Sequence, residues 1–265
     1  MAKYKKKRAR ELKHDRFRDT TMSLVDRTAE RLEGKGRTIL YAIGGIVLAG
    51  ILILLFMRWS GRKSDEARAA LGRAIDIATA TVSTSTTPDP TAGTVFASEE
   101  QRAQRAIEEF KKVADKYGDP YRAEARYFMA TNELILDRSK GIADLTELKD
   151  SSVAEVAALA KFALAQTKES DSKLDEAAQL YAALASSKSP AITAETANLK
   201  LAKVYEKQGK KKEAADLLFN LVDASRKAKG PDNLPLPPSA AAREAATALQ
   251  NLDPDRFAKL PPEAG

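Results

Sequence analysis

The chain has 265 residues, of which 43% are hydrophobic and 31% charged, with one histidine, no cysteine and a formal net charge of +7. Disulfides, cysteine-ligated zinc, iron–sulfur clusters and a thiol nucleophile are thereby excluded, and a single imidazole leaves little material for a transition-metal site or histidine-based catalysis. Residues 1–37 hold 13 Lys/Arg against 6 Asp/Glu, whereas residues 58–265 hold 31 of each, so the excess charge belongs to the N-terminal tail and a nucleic-acid partner is not expected.

In chain order, Met1–Arg10 carries six basic residues and no acidic one. Such a flank sets the topology of an anchor that follows it, with contact to anionic lipid as the alternative use. Thr21–Glu33 places Met22, Val25, Ala29 and Leu32 on one helical face and is followed by Gly34 and Gly36. Thr38–Met57 then runs for 20 residues without a charge, between Arg37 and Arg58. An α-helix of that length spans a bilayer core of roughly 30 Å. The run is too long for a signal-peptide core and is followed by Trp59-Ser60-Gly61-Arg62 rather than a small-residue cleavage site. The expectation is an uncleaved single-pass anchor, flanked by the interfacial aromatics Tyr41 and Trp59, with the N-terminus cytoplasmic and the rest exported.

From Ser64 the pattern changes to alanine-rich amphipathic helices. Ala67, Ala70, Leu71, Ala74, Ile75 and Ala78 give the apolar face of the first. Thr79–Ser98 is rich in Ser and Thr and contains Pro88 and Pro90, which predicts a flexible loop at about 80–98. Beyond it the chain repeats itself. Leu164–Leu184 and Leu201–Leu221 align at an offset of 37: Leu164-Ala165 with Leu201-Ala202, Glu176-Ala177-Ala178 with Glu213-Ala214-Ala215, and Leu180 with Leu217. Ala106, Phe110 and Val113 match Ala177, Tyr181 and Leu184 at 71, close to two periods. A repeat of this length implies stacked antiparallel helix pairs, since no pair buries its apolar face alone. Four pairs are expected, beginning near residues 63, 120, 152 and 190. After a proline-rich break at Arg226–Pro238, a last helix at 239–251 with Ser239 as its cap is expected to cover the end of the stack.

Leu201-Ala202-x-x-Tyr205 followed by Ala214, Leu218 and Leu221 resembles a degenerate tetratricopeptide repeat. The resemblance implies an all-α, right-handed solenoid after a single N-terminal transmembrane helix. The domains expected are a basic cytoplasmic tail (1–37), the membrane helix (38–58), the repeat domain (59–227) and a proline-rich linker with capping helix and flexible tail (228–265).

The order of tail, span and exported repeat domain is similar to the YfgM-like family of ancillary SecYEG translocon subunits. Arg31-Leu32-Glu33-Gly34-Lys35-Gly36-Arg37 and the repeats at Ala160–Leu184 and Asn198–Leu221 carry this likeness. It implies a non-enzymatic, inner-membrane scaffold that meets the translocon, periplasmic chaperones and exported or unfolded polypeptide. An envelope-assembly scaffold for outer-membrane or cell-wall complexes is the alternative. No cofactor, metal or small-molecule substrate is expected, and no Gly-rich phosphate loop, Ser-x-x-Lys or Gly-x-Ser-x-Gly motif is present. On the first helices of the pairs, Arg126, Asn132, Gln166, Asn198 and Lys203 are expected to face outward and are the candidates for a groove lining.

Overall fold

A computed structural model describes residues 63–83 and 94–262. Residues from Asp65 onward form a compact unit separate from those up to Ser64. The basic tail, the amphipathic pattern at 21–33 and the apolar stretch 38–57 lie outside the described residues. No described helix is long and apolar enough to cross a membrane.

The described chain is helical apart from one short strand pair. It comprises α1 (63–78), β1 (Thr81–Val82), β2 (Val95–Phe96), α2 (Glu99–Lys116), α3 (Tyr121–Leu136) and α4 (Arg138–Leu148). There follow α5 (Ala154–Ser170), α6 (Leu174–Ala185), α7 (Ala194–Lys207), α8 (Lys211–Lys227), α9 (Ala240–Leu252) and the single turn α10 (Pro254–Phe257). Local chemistry sets many of the helix starts. The side chains of Ser98, Asp137, Thr193, Ser239 and Asp253 each accept a backbone N–H from the first turn of α2, α4, α7, α9 and α10, satisfying donors that a helix start leaves orphaned. On either side of the Ser/Thr-rich residues, β1 and β2 pair in parallel, with Ser83 N–H donating to Phe96 O at 3.0 Å.

Short turns make consecutive helices antiparallel neighbours, and the core is divided among the junctions between pairs. Leu71 and Ala74 of α1 pack with Ala106, Phe110 and Val113 of α2 and Ala125 of α3. Ala123 and Ala130 of α3 meet Leu145 and Leu148 of α4 and Val156 of α5. Ala165 of α5, Tyr181 and Leu184 of α6 and Leu201 of α7 form the next cluster. Leu199 and Ala202 of α7, Leu218 of α8 and Ala245 and Leu249 of α9 form the last. Each of the first three clusters is completed by the opening helix of the following pair, the dependence on neighbours expected of a stacked repeat.

The 37-residue offset holds at the level of burial and of the backbone. Ala160 and Ala197, Ala165 and Ala202, and Ala177 and Ala214 are equivalent, and all are buried. Buried alanines are what let helix axes approach closely, since each side chain adds only a methyl group. The turn after α5 and the turn after α7 close alike. Ser172 N–H donates to Glu169 O and Lys173 N–H to Lys168 O, just as Gly209 N–H donates to Glu206 O and Lys210 N–H to Tyr205 O. Both turns place one residue in the left-handed region, Ser172 at φ 59° and Gly209 at φ 75°, the geometry of a Schellman cap. Serine bears a steric cost there that glycine does not. Ser172→Gly is therefore expected to raise the unfolding free energy by about 0.5–1 kcal/mol, and Gly209→Ala to lower it by about 1 kcal/mol, both read from urea unfolding midpoints at constant slope.

Candidate binding groove

The first helices of three consecutive pairs leave an open depression between them. Its cavity of about 370 Å³ is lined by Leu71 and Ile75 of α1, by Glu124, Tyr127 and Phe128 of α3, and by Glu155, Val156 and Leu159 of α5. Pro190 and Ala191, ahead of α7, close one side. The floor has a simple origin. Tyr127 and Phe128 are consecutive on a helix, so their side chains diverge by about 100° and cannot both enter one core. Phe128 stacks on Phe110 at 5.0 Å and 12°, while Tyr127 meets the edge of Phe128 at 5.4 Å. Both rings also line the cavity and stay partly exposed.

Two carboxylates sit among these apolar groups. Glu124 is half-buried, Glu155 is exposed, and neither forms an ion pair among the described residues. Burial, with the charge of Glu155 beside it, holds the Glu124 carboxyl above the usual carboxylate range, partly offset by Arg68 of α1. A depression that is apolar underneath and acidic at its edge attracts cations and excludes anions.

The five residues singled out from sequence are not brought together here. Arg126 lies on the other side of α3, where it pairs with Glu147 at 2.9 Å and lines a shallow polar recess with Lys111, Asp115 and Met129. Asn132 is buried rather than outward-facing, its amide donating to Phe128 O at 2.8 Å. Gln166 is exposed and lies on the face of α5 that bears Leu159 and Phe162, at i+7 and i+4 from them. Asn198 is partly buried on α7. Lys203, 37 after Gln166, is only partly exposed and pairs with Glu244 of α9.

The depression is therefore lined by α1, α3 and α5, while α9 stacks on α7 and α8 as α7 stacks on α5 and α6. Reasoning from sequence missed Glu124, Tyr127, Phe128 and Leu159. The adjacent aromatic pair was the available signal, since one of its rings had to leave the core.

A second cavity, of about 290 Å³, lies between α8 and α9 and includes Arg226, Leu236 and Arg243. Its arginines are already engaged. Arg226 donates to Pro261 O and lies over the Phe257 ring, and Arg243 donates to Pro238 O at 3.1 Å. Among the described residues, no three His, Cys, Asp or Glu side chains gather in a way that would hold a metal ion.

No family model and no curated protein matches the sequence. Among solved structures, a kinesin light chain-type protein of Podosopora anserina with nearly identical TPR-like repeats is similar over 73% of this chain and 88% of its own, at 13% identity and a TM-score of 0.44. That likeness is too distant to assign a family.

Proposed function

We propose that the chain is a membrane-anchored, non-enzymatic interaction scaffold of tetratricopeptide-like helix pairs, held on the exported side of a bacterial inner membrane. The observation that carries this reading is the open depression built by the first helices of successive pairs. It is apolar and continuous, and it lacks any convergent set of nucleophile, base and oxyanion donors. The uncharged run Thr38–Met57 behind a basic tail supports the anchor and its direction. The order of tail, span and repeat domain supports the Sec translocon as membrane neighbour, with periplasmic chaperones and exported polypeptide as groove partners.

Site-specific photocrosslinking in native membranes tests both halves. A crosslinker at Leu159 is expected to capture chaperone or exported chains, and one within residues 38–57 a translocon subunit. A crosslinker at the exposed Lys112 of α2 serves as control. Equal, unselective labelling from Leu159 and Lys112 would sink the groove. Capture of barrel-assembly or wall components at Leu159 would move the protein to envelope assembly instead.

A further inference from the structure

The cavity between α8 and α9 holds positive charge that its own walls do not cancel. Val222 and Arg226 lie one turn apart on α8, Ala242, Arg243 and Ala246 lie within about one turn on α9, and Leu236 of the proline-rich connection adds a further wall. Two guanidiniums and no carboxylate line the space. Each guanidinium is positioned by a neutral acceptor, Arg226 by Pro261 O and Arg243 by Pro238 O at 3.1 Å. A carbonyl fixes where the planar fork points without cancelling its charge, and it leaves most of the N–H donors without a partner among the described residues.

The acids of the same elements are held elsewhere. Asp216 pairs with Arg256, Asp223 with Lys227 at 2.7 Å, and Glu244 with Lys203. Glu213 stands at the opposite end of α8 from Arg226, and Asp232 accepts the Leu234 N–H at 3.2 Å. Leu236 supplies a second, separate observation. It is 49% exposed although it walls the cavity, so apolar surface stays wet beside two uncancelled cations. A bare anion would leave that surface wet, and a purely apolar molecule would leave the guanidiniums without a counter-charge. A volume of about 290 Å³ lies at the low end for small-molecule sites and admits a ring or a short chain.

We infer that this cavity binds a small amphipathic oxyanion, a carboxylate or phosphate ester on a short apolar body, with its charge on Arg226 and Arg243 and its body against Val222, Leu236 and Ala246. Guanidinium forks suit either headgroup, since both present paired oxygens. Because the lining comes from α8, the connection and α9, such a ligand would hold α9 onto the stack. The site stands apart from the depression at α1, α3 and α5, and either can fail without the other.

The test follows fluorine NMR of three probes on the full chain in neutral maltoside detergent, with protein-free micelles subtracted. The probes are para-trifluoromethyl-phenylacetate, its neutral amide, and para-trifluoromethyl-phenyl phosphate. The carboxylate is expected to bind about tenfold more tightly than the amide, and less so at high salt. The tighter of the two anions names the headgroup. Arg243→Gln should reduce the anion preference several-fold, and the pair Arg226→Gln, Arg243→Gln should remove it, while the amide still binds and so reports the cavity intact. Thr247→Trp, which places an indole at the exposed lining, should weaken all three probes.

Equal affinity for both anions and the amide, or an anion preference that survives the double substitution, overturns the assignment. So does binding that Thr247→Trp leaves untouched, because the probe then sits elsewhere, and so does the binding of no probe. If the double variant loses the amide as well, Arg243→Gln alone decides, since that exposed side chain makes a single carbonyl contact.

Discussion

Replacing Tyr181 by alanine is expected to lower the unfolding free energy of the repeat domain by about 4 kcal/mol. Tyr181 is fully buried at the centre of the α5–α6–α7 junction, among Ala165, Ala177, Leu184, Leu201 and Val204. Its ring meets Phe162 edge-on at 5.8 Å. Its hydroxyl donates to Glu169 Oε2 at 3.2 Å, and Lys207 pairs with the other oxygen of that carboxylate at 2.5 Å. One side chain thus joins the last turn of α5 to α6 and, through Glu169, to α7. Alanine would leave a ring-sized cavity and remove the hydroxyl donor. Tyr181→Phe keeps the ring and leaves Glu169 its lysine, so its cost is expected near 1 kcal/mol. Urea unfolding followed by circular dichroism separates the two, and equal losses would show that the hydroxyl rather than the ring dominates.

The same residue sets an alkaline limit. Burial, and then the Glu169 charge, push the Tyr181 phenol well above the usual range, and burial alone raises that of Tyr127. A phenol whose folded pKa exceeds its unfolded value keeps its proton longer in the native state. Stability is then complete below about pH 10 and falls as pH rises further. The slope approaches about 1.4 kcal/mol per pH unit for each such group. Tyr181→Phe should flatten this fall without removing it, since Tyr127 remains.

Gly141→Ala is expected to cost about 3 kcal/mol by overpacking. Gly141 lies in the first turn of α4, buried against the end of α3. A methyl group there would stand 2.7 Å from Leu134 N, 2.8 Å from Leu134 Cδ2 and 2.9 Å from Ala130 O. Two of those atoms are backbone and cannot rotate aside, so α3 and α4 would have to separate. In a stack where each pair touches only its neighbours, such damage is local. The expected result is a loss of cooperativity: amide exchange rising in α1 to α4 at denaturant levels where α6 to α8 remain protected. Uniform loss of protection across all helices would instead mean that the stack unfolds as one unit. Because Glu124, Tyr127 and Phe128 ride on α3, the variant should also weaken capture at Leu159.

Much of the architecture was written in spacing. The offset of 37 located equivalent alanines in α5 to α8, whereas the left-handed turn residues Ser172 and Gly209, also 37 apart, emerged from the backbone. The candidate groove was less legible. Arg126 and Asn132 are polar residues on the right helix, but one faces a polar recess and the other is buried. Polarity marks a residue as suited to water without saying which of two free faces it occupies. The true lining of the depression is mostly apolar, and an apolar residue on a first helix reads as core.

What the sequence by itself determined is the unit. Alanine spacing, caps such as Ser239, and short turns each act within a few residues, so they specify helix pairs and their period wherever the chain goes. The expectation of a membrane span at Thr38–Met57 is of the same local kind, resting on length and absence of charge. Only the tertiary structure decided which faces of those helices remain free. A helix with apolar groups on more than one side can be covered from several directions. Which side is covered depends on partners distant in sequence: α9 reaching back to Lys203 of α7, and Pro190–Ala191 walling the space beside Leu159. The depression exists because Tyr127 and Phe128 of α3 and Leu159 of α5 are only partly covered by the described elements, whereas α9 covers the end of the stack against α7 and α8.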